Sequence, residues 1–138
     1  MENEVIFSLK PQFAELIEKK QKTHEFRKYT PKTLPSKLWF YVTFPISILM
    51  YIADVAPVVE FPNKIPSDGY GNEDFNNGLK KSKYAFPIRH LYRIRKPITL
   101  KQLRDYYNFT APQGFAYMSK YPNLYKDVIN DIGTEKIF

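Results

Sequence analysis

The sequence predicts an α+β fold in which short helices flank a β-rich centre. Three observations carry this. An apolar run at residues 5–9 precedes a proline-led amphipathic segment, residues 11–20, and an alternating charged stretch, residues 23–29, which reads strand, helix, strand. Residues 37–44, Lys-Leu-Trp-Phe-Tyr-Val-Thr-Phe, have the aromatic and β-branched density of a strand. Residues 84–95 alternate apolar and basic side chains.

In the first strand, Val5, Phe7 and Leu9 alternate with Ile6, Ser8 and Lys10, so it is mostly buried, with Ser8 and Lys10 near its end. Pro11 suits the first position of the helix that follows, and Phe13, Leu16 and Ile17 form its core stripe. Residues 30–36 hold two prolines and read as a loop. The strand at 37–44 ends at Pro45, and residues 46–61 read as a central strand interrupted near Pro57. A long loop follows at about 62–80, with one helical turn near residues 73–79 in which Glu73 and Asp74 are solvated. In the next strand, Phe86, Ile88, Tyr92 and Ile94 are expected on one face and Arg89, Leu91, Arg93 and Arg95 on the other. Thr99 and Gln102 make a capping box, with Leu100 and Leu103 inside the helix it opens. Leu124, Val128, Ile129 and Ile132 place an amphipathic helix at about 120–132.

Composition narrows the function classes. The 138 residues, 43% hydrophobic and 17% aromatic, predict one domain, 1–138, with a real core. There is no cysteine, which removes disulfides, thiolate metal sites and a cysteine nucleophile. With only His24 and His90 as histidines, neither a metal nor another cofactor is expected. No apolar run has the length of a membrane span and the amino terminus is acidic, so the expected protein is soluble, cytoplasmic and without a membrane partner. The net charge of +7 is segregated: seven basic residues against Glu25 alone over 19–37, and nine against none over 80–104. Such blocks predict a surface that attracts polyanions.

The charged stretch at residues 22–29, Lys-Thr-His-Glu-Phe-Arg-Lys-Tyr, carries the candidate site. Alternation puts Thr23, Glu25, Arg27 and Tyr29 on one face and His24, Phe26 and Lys28 on the other. Glu25 and Arg27 together present acceptors and a planar donor fork to a hydrogen-bonding ligand. A surface ion pair is the ordinary meaning of Glu-x-Arg on a strand. Lys22 has the opposite parity and joins them only if it lies in the turn before the strand.

Lys22, Glu25 and Arg27 match the charged positions of the G-x-K-x-x-E-x-R signature, and the chain resembles the ASCH family of the PUA-like superfamily over most of residues 5–117. Its signature region here is 5–29, and the segments 8–17, 84–86, 96–103 and 110–118 are similar to the family in order and spacing. The signature glycine is Lys20 in this chain, at a helix end where a left-handed backbone is favoured. The resemblance implies a PUA-like mixed β pseudo-barrel with flanking helices and a cleft facing the signature. Thr43, Phe44 and Pro45 stand where the family borders its cleft.

The first functional reading is a module binding RNA or another nucleic acid. Ser8, Lys10, Lys22, Glu25 and Arg27 supply polar contacts, Tyr41, Phe44 and Tyr84 stacking faces, and Gln113 a base-reading amide. Arg89, Arg93 and Arg95 form a stripe for the phosphate backbone. Phe44 is equally placed for the core, and Gln113 for tying down a loop. The second reading is a hydrolase acting on RNA or a modified nucleoside, with Lys22 and Glu25 as the catalytic pair. The amidohydrolase subset of the family carries a threonine nucleophile where this chain has Glu25. The third is a protein-interaction domain, which eleven tyrosines also suit.

Overall fold

The computed structural model describes residues 3–138. Eight strands and four helices follow one another as β1 (Glu4–Leu9), α1 (Pro11–Glu18), β2 (His24–Arg27), β3 (Lys37–Val42), β4 (Ile48–Val55), β5 (Val59–Glu60), α2 (Asn72–Asn76), β6 (Tyr84–Thr99), α3 (Leu100–Tyr107), β7 (Phe115–Tyr117), α4 (Pro122–Lys126) and β8 (Thr134–Lys136). The sheet runs β2-β6-β4-β3-β1-β7 and curls into a half-barrel, with β5 and β8 also pairing with β6. β1 and β3 are parallel, which the intervening α1 crossover permits, and the other pairs are antiparallel.

Alternation sorts two cores onto the two sheet faces. Phe7, Phe40 and Phe86 belong to the core beneath α1, where Ile17 is 1% exposed. Ile6, Trp39 and Ile94 face the opposite core with Leu103, Leu124 and Val128. Trp39 is fully buried, and its indole N–H donates to Glu4 Oε1 at 2.9 Å. The capping box closes as expected: Thr99 Oγ1 accepts from the Gln102 N–H, and Gln102 Oε1 accepts from the Thr99 N–H.

The basic strand differs from its sequence pattern. β6 carries an extra residue between the pairs Val55–Ile88 and Asp54–His90, so Arg89 is a bulge and the alternation reverses there. Leu91 is consequently buried in the same core as Phe86 and Ile88. Arg93 turns to Glu18, Nη2 to Oε1 at 2.6 Å, and Glu18 also accepts from the Tyr51 hydroxyl. Arg95 lies past a second irregularity and donates to the Thr134 carbonyl. The three arginines therefore form no continuous stripe.

The carboxyl end also departs from expectation. α4 widens into a π-helical turn at Asp127–Ile132, which leaves Ile129 46% exposed, and the chain returns as β8. The strand at 37–44 stops at Val42, and the loop's helical turn is α2, with Glu73 and Asp74 exposed.

Lys20 has φ 62°, the left-handed geometry the signature glycine predicts. Its backbone closes α1, and the next two amides, Gln21 and Lys22, both donate to the Leu16 carbonyl. Lys20→Val is expected to lower stability by about 1 kcal/mol, because a β-branched residue is disfavoured at positive φ. Lys20→Gly should hold or raise it. Urea midpoints of the two variants give the comparison.

Candidate functional site

The closure of α1 places Lys22 before β2 begins, so it escapes the strand's alternation and turns toward Glu25. Lys22 Nζ lies 3.4 Å from Glu25 Oε1, with both side chains almost fully buried. Arg27 grips the other oxygen: Nη2 and Nε stand 2.7 and 3.0 Å from Glu25 Oε2. Nη2 also donates to the Ser8 carbonyl at 2.7 Å, which ties β2 to β1 across the cleft floor. One carboxylate thus serves two cations.

These residues line a cleft of about 840 Å³. One wall is Phe13 of α1 with Lys10 just before that helix, another the loop with Tyr70 and Lys80, and Gln113 and Gly114 close the far side. Because β2 is the edge of the sheet, the cleft reaches over it and admits Phe26 and Lys28 as well as Glu25 and Arg27. The Lys22 and Lys80 ammonium groups stand 4.4 and 4.7 Å from the Phe26 ring centroid. The Arg27 guanidinium stands 4.2 Å from that of Phe7. Burial pushes the Lys22 pKa down, Glu25 opposes the shift, and Lys80 and Arg27 reinforce it. A desolvated amine beside a carboxylate can exchange a proton nearer neutrality than a free lysine.

Ser8, Lys10, Lys22, Glu25, Arg27 and Gln113 of the expected ligand set meet in this cleft. Ser8 also holds the far wall, its hydroxyl donating to the Pro112 carbonyl at 2.6 Å. The three expected stacking aromatics lie elsewhere. Tyr41 is 3% exposed and packs on Phe109 in the opposite core, because its strand parity points it away from α1. Phe44 is neither core nor cleft wall: it sits in the β3–β4 turn, 84% exposed. Tyr84 pairs with Arg27 across the strands and packs into the core beneath α1.

Their place is taken by Phe13, Phe26 and Tyr70, with Phe13 and Tyr70 rings 6.0 Å apart. Phe13 carries a helical core spacing in the sequence, and Tyr70 and Lys80 belong to a loop with no periodicity. Only Lys80's position at the head of the second basic block signalled it. Thr23 does not line the cleft. Its hydroxyl bonds His24 Nδ1 at 2.8 Å and accepts from Asn72 Nδ2 at 3.0 Å, pinning the loop to β2.

A curled β half-barrel with helices at its ends defines the PUA-like class of fold. Within it the chain belongs to the ASCH domain family. It is 32% identical over 128 residues to the ASCH domain-containing ribonuclease of Zymomonas mobilis, covering 85% of each protein. The crystal structure of ASCH from Zymomonas mobilis is similar at TM-score 0.65 and 26% identity, over 91% of this chain and 96% of that one. A serine-to-alanine mutant of that protein aligns at TM-score 0.66 with the same identity and coverage. No family model matches the chain. No helix among the described residues is long and apolar enough to cross a membrane.

Proposed function

We propose that this chain binds RNA through the cleft over β2, with Lys22 and Arg27 meeting phosphate or a carbonyl edge and Glu25 holding both cations in place. The observation that carries this reading is the cleft's make-up: five cations against one carboxylate, interleaved with aromatic rings. The name of the curated relative, a ribonuclease, points to the same class of partner. A base has Phe13 and Tyr70 to stack on, and Gln113 both donates to and accepts from a base edge.

Hydrolysis of RNA is the second reading, favoured by the buried Lys22–Glu25 pair and by the relative's name. Lys22 would then exchange the proton and Glu25 set its basicity.

Fluorescence anisotropy with short single-stranded and duplex RNA and DNA at two salt concentrations tests the first reading. The affinity of wild type for RNA should fall steeply with salt. Arg27→Ala should weaken it about tenfold, the effect of losing about 1.4 kcal/mol. An Arg89/Arg93/Arg95 triple alanine variant should weaken it less, because Arg93 is held by Glu18. Loss in the triple variant alone would move the interface off the cleft. Incubation of the RNA with wild type and Lys22→Ala, resolved on a gel, reports on hydrolysis: Lys22-dependent turnover establishes the second reading.

A further inference from the structure

The deep end of the cleft holds more positive charge than the protein itself neutralises. Lys22, Arg27 and Lys80 surround it with Glu25 as the single carboxylate, a formal surplus of two. Lys10 and Lys28 stand further out, on the exposed rim. Glu25 is committed to Lys22 and Arg27. Lys80 makes no ion pair or hydrogen bond among the described residues, and its ammonium rests on the Phe26 ring at 4.7 Å. Among the described residues, Arg27 Nη1 has as its one acceptor the Gly114 carbonyl, at a long 3.5 Å. The cleft thus presents an unpaired ammonium and a nearly free guanidinium nitrogen.

The placement of Lys80 is built into the loop. Gly71 has φ +79°, and a Cβ there would stand 2.9 Å from Lys80 Cε and 3.1 Å from Phe26 Cε2. The absent side chain is the space that the lysine stem occupies. Asn72, fully buried, fixes the same turn through Thr23 Oγ1 and the Pro66 carbonyl. Lys80 thus reaches the cleft over a glycine that leaves room for its stem, and its ammonium rests on Phe26.

A surplus of two fits a dianion better than a monoanion. A phosphodiester carries one charge, whereas a phosphomonoester carries about 1.5 to 2 near neutrality and offers three strong acceptor oxygens. Charge-assisted hydrogen bonds from ammonium and guanidinium groups are the strong kind. We propose that the deep end of the cleft is a subsite for a terminal phosphomonoester, built by Lys22, Lys80 and the weakly engaged Nη1 of Arg27, through which the protein selects phosphorylated RNA ends. This rests on the RNA reading above and adds the chemical class of the RNA end. Phe13 and Tyr70 then take the terminal base, and Lys10 and Lys28 the chain that follows.

The test compares one internally labelled oligoribonucleotide in three forms: 5′-phosphorylated, 3′-phosphorylated and hydroxyl at both ends. Anisotropy is read at fixed salt for wild type, Lys80→Met and Lys80→Arg, with inorganic phosphate as a competitor. Wild type is expected to bind one phosphorylated form at least tenfold more tightly than the hydroxyl form, and the preferred arm identifies the end. Lys80→Met should reduce that preference to within about twofold, whatever it does to the affinity for the hydroxyl form. Lys80→Arg should retain it. Equal binding of all three forms by wild type, with Arg27 still required, overturns the subsite and leaves the RNA reading standing. So does a preference that survives in Lys80→Met. Lys80-dependent binding of inorganic phosphate without binding of any RNA form overturns the RNA reading and keeps the anion site. Absence of both overturns both.

Discussion

Glu25→Ala is expected to cause the largest loss of stability of any single change at the cleft. Glu25 is 5% exposed, and its carboxylate is the shared counter-ion of Lys22 and Arg27. Removing one member of a buried ionic group strands the others, at about 3 kcal/mol or more. For a chain of this length that is a fall in Tm on the order of 10 °C. Arg27 keeps its bond to the Ser8 carbonyl, so the stranded charge is mainly Lys22. Lys22→Met in the same chain should therefore recover part of the loss, with a coupling of about 1 kcal/mol or more between the two positions. Thermal unfolding of the two single variants and the double variant measures this. Strictly additive losses would show that Glu25 and Lys22 do not share a buried pair.

Acidification should destabilise the protein through His24. Its pKa is lowered from 6.5 to about 4, first by burial and then by the nearby Lys22 ammonium, with Asp68 opposing. The Thr23 hydroxyl accepts from Asn72 Nδ2 and is hydrogen-bonded to His24 Nδ1 at 2.8 Å. The unfolded chain takes up a proton near pH 6.5, whereas the folded one resists until about pH 4. Stability from this group is thus complete above pH 6.5 and lost as pH falls through that window, about 2 kcal/mol between pH 7 and 5. Urea titrations at the two pH values should show the loss in wild type. His24→Gln, whose amide can hydrogen-bond Thr23 in either direction without titrating, should flatten that dependence. Since Thr23 also anchors Asn72, acid acts on the turn that carries Tyr70. An equal pH dependence in His24→Gln would assign the effect to other groups.

The parts of the fold legible in the sequence are those written in local spacing. Val5, Phe7 and Leu9 declare a strand by period two, and Thr99 and Gln102 declare a helix start by their separation of three. The left-handed backbone at Lys20 was legible through the glycine that the family signature has there. Lys22, Glu25 and Arg27 came from the signature, and their assembly follows from the turn that precedes β2.

The misplacements share one cause. Tyr41 and Phe44 sit in a run that is apolar on both faces, so nothing local says which side chain meets which core. The Arg89 bulge is set by how β4 and β6 pair, and it reverses every later side chain on the strand. β8, three residues long, is held only by its pairing with β6. The sequence by itself determined the types of the elements with clear local periodicity and the basic character of the protein. The tertiary structure alone decided that Lys80 meets Phe26 from more than fifty residues away, and that Phe13 and Tyr70 wall the cleft. Periodicity reports neighbours one turn or one pleat apart, whereas the cleft forms at a sheet edge closed by a loop, where distant segments meet.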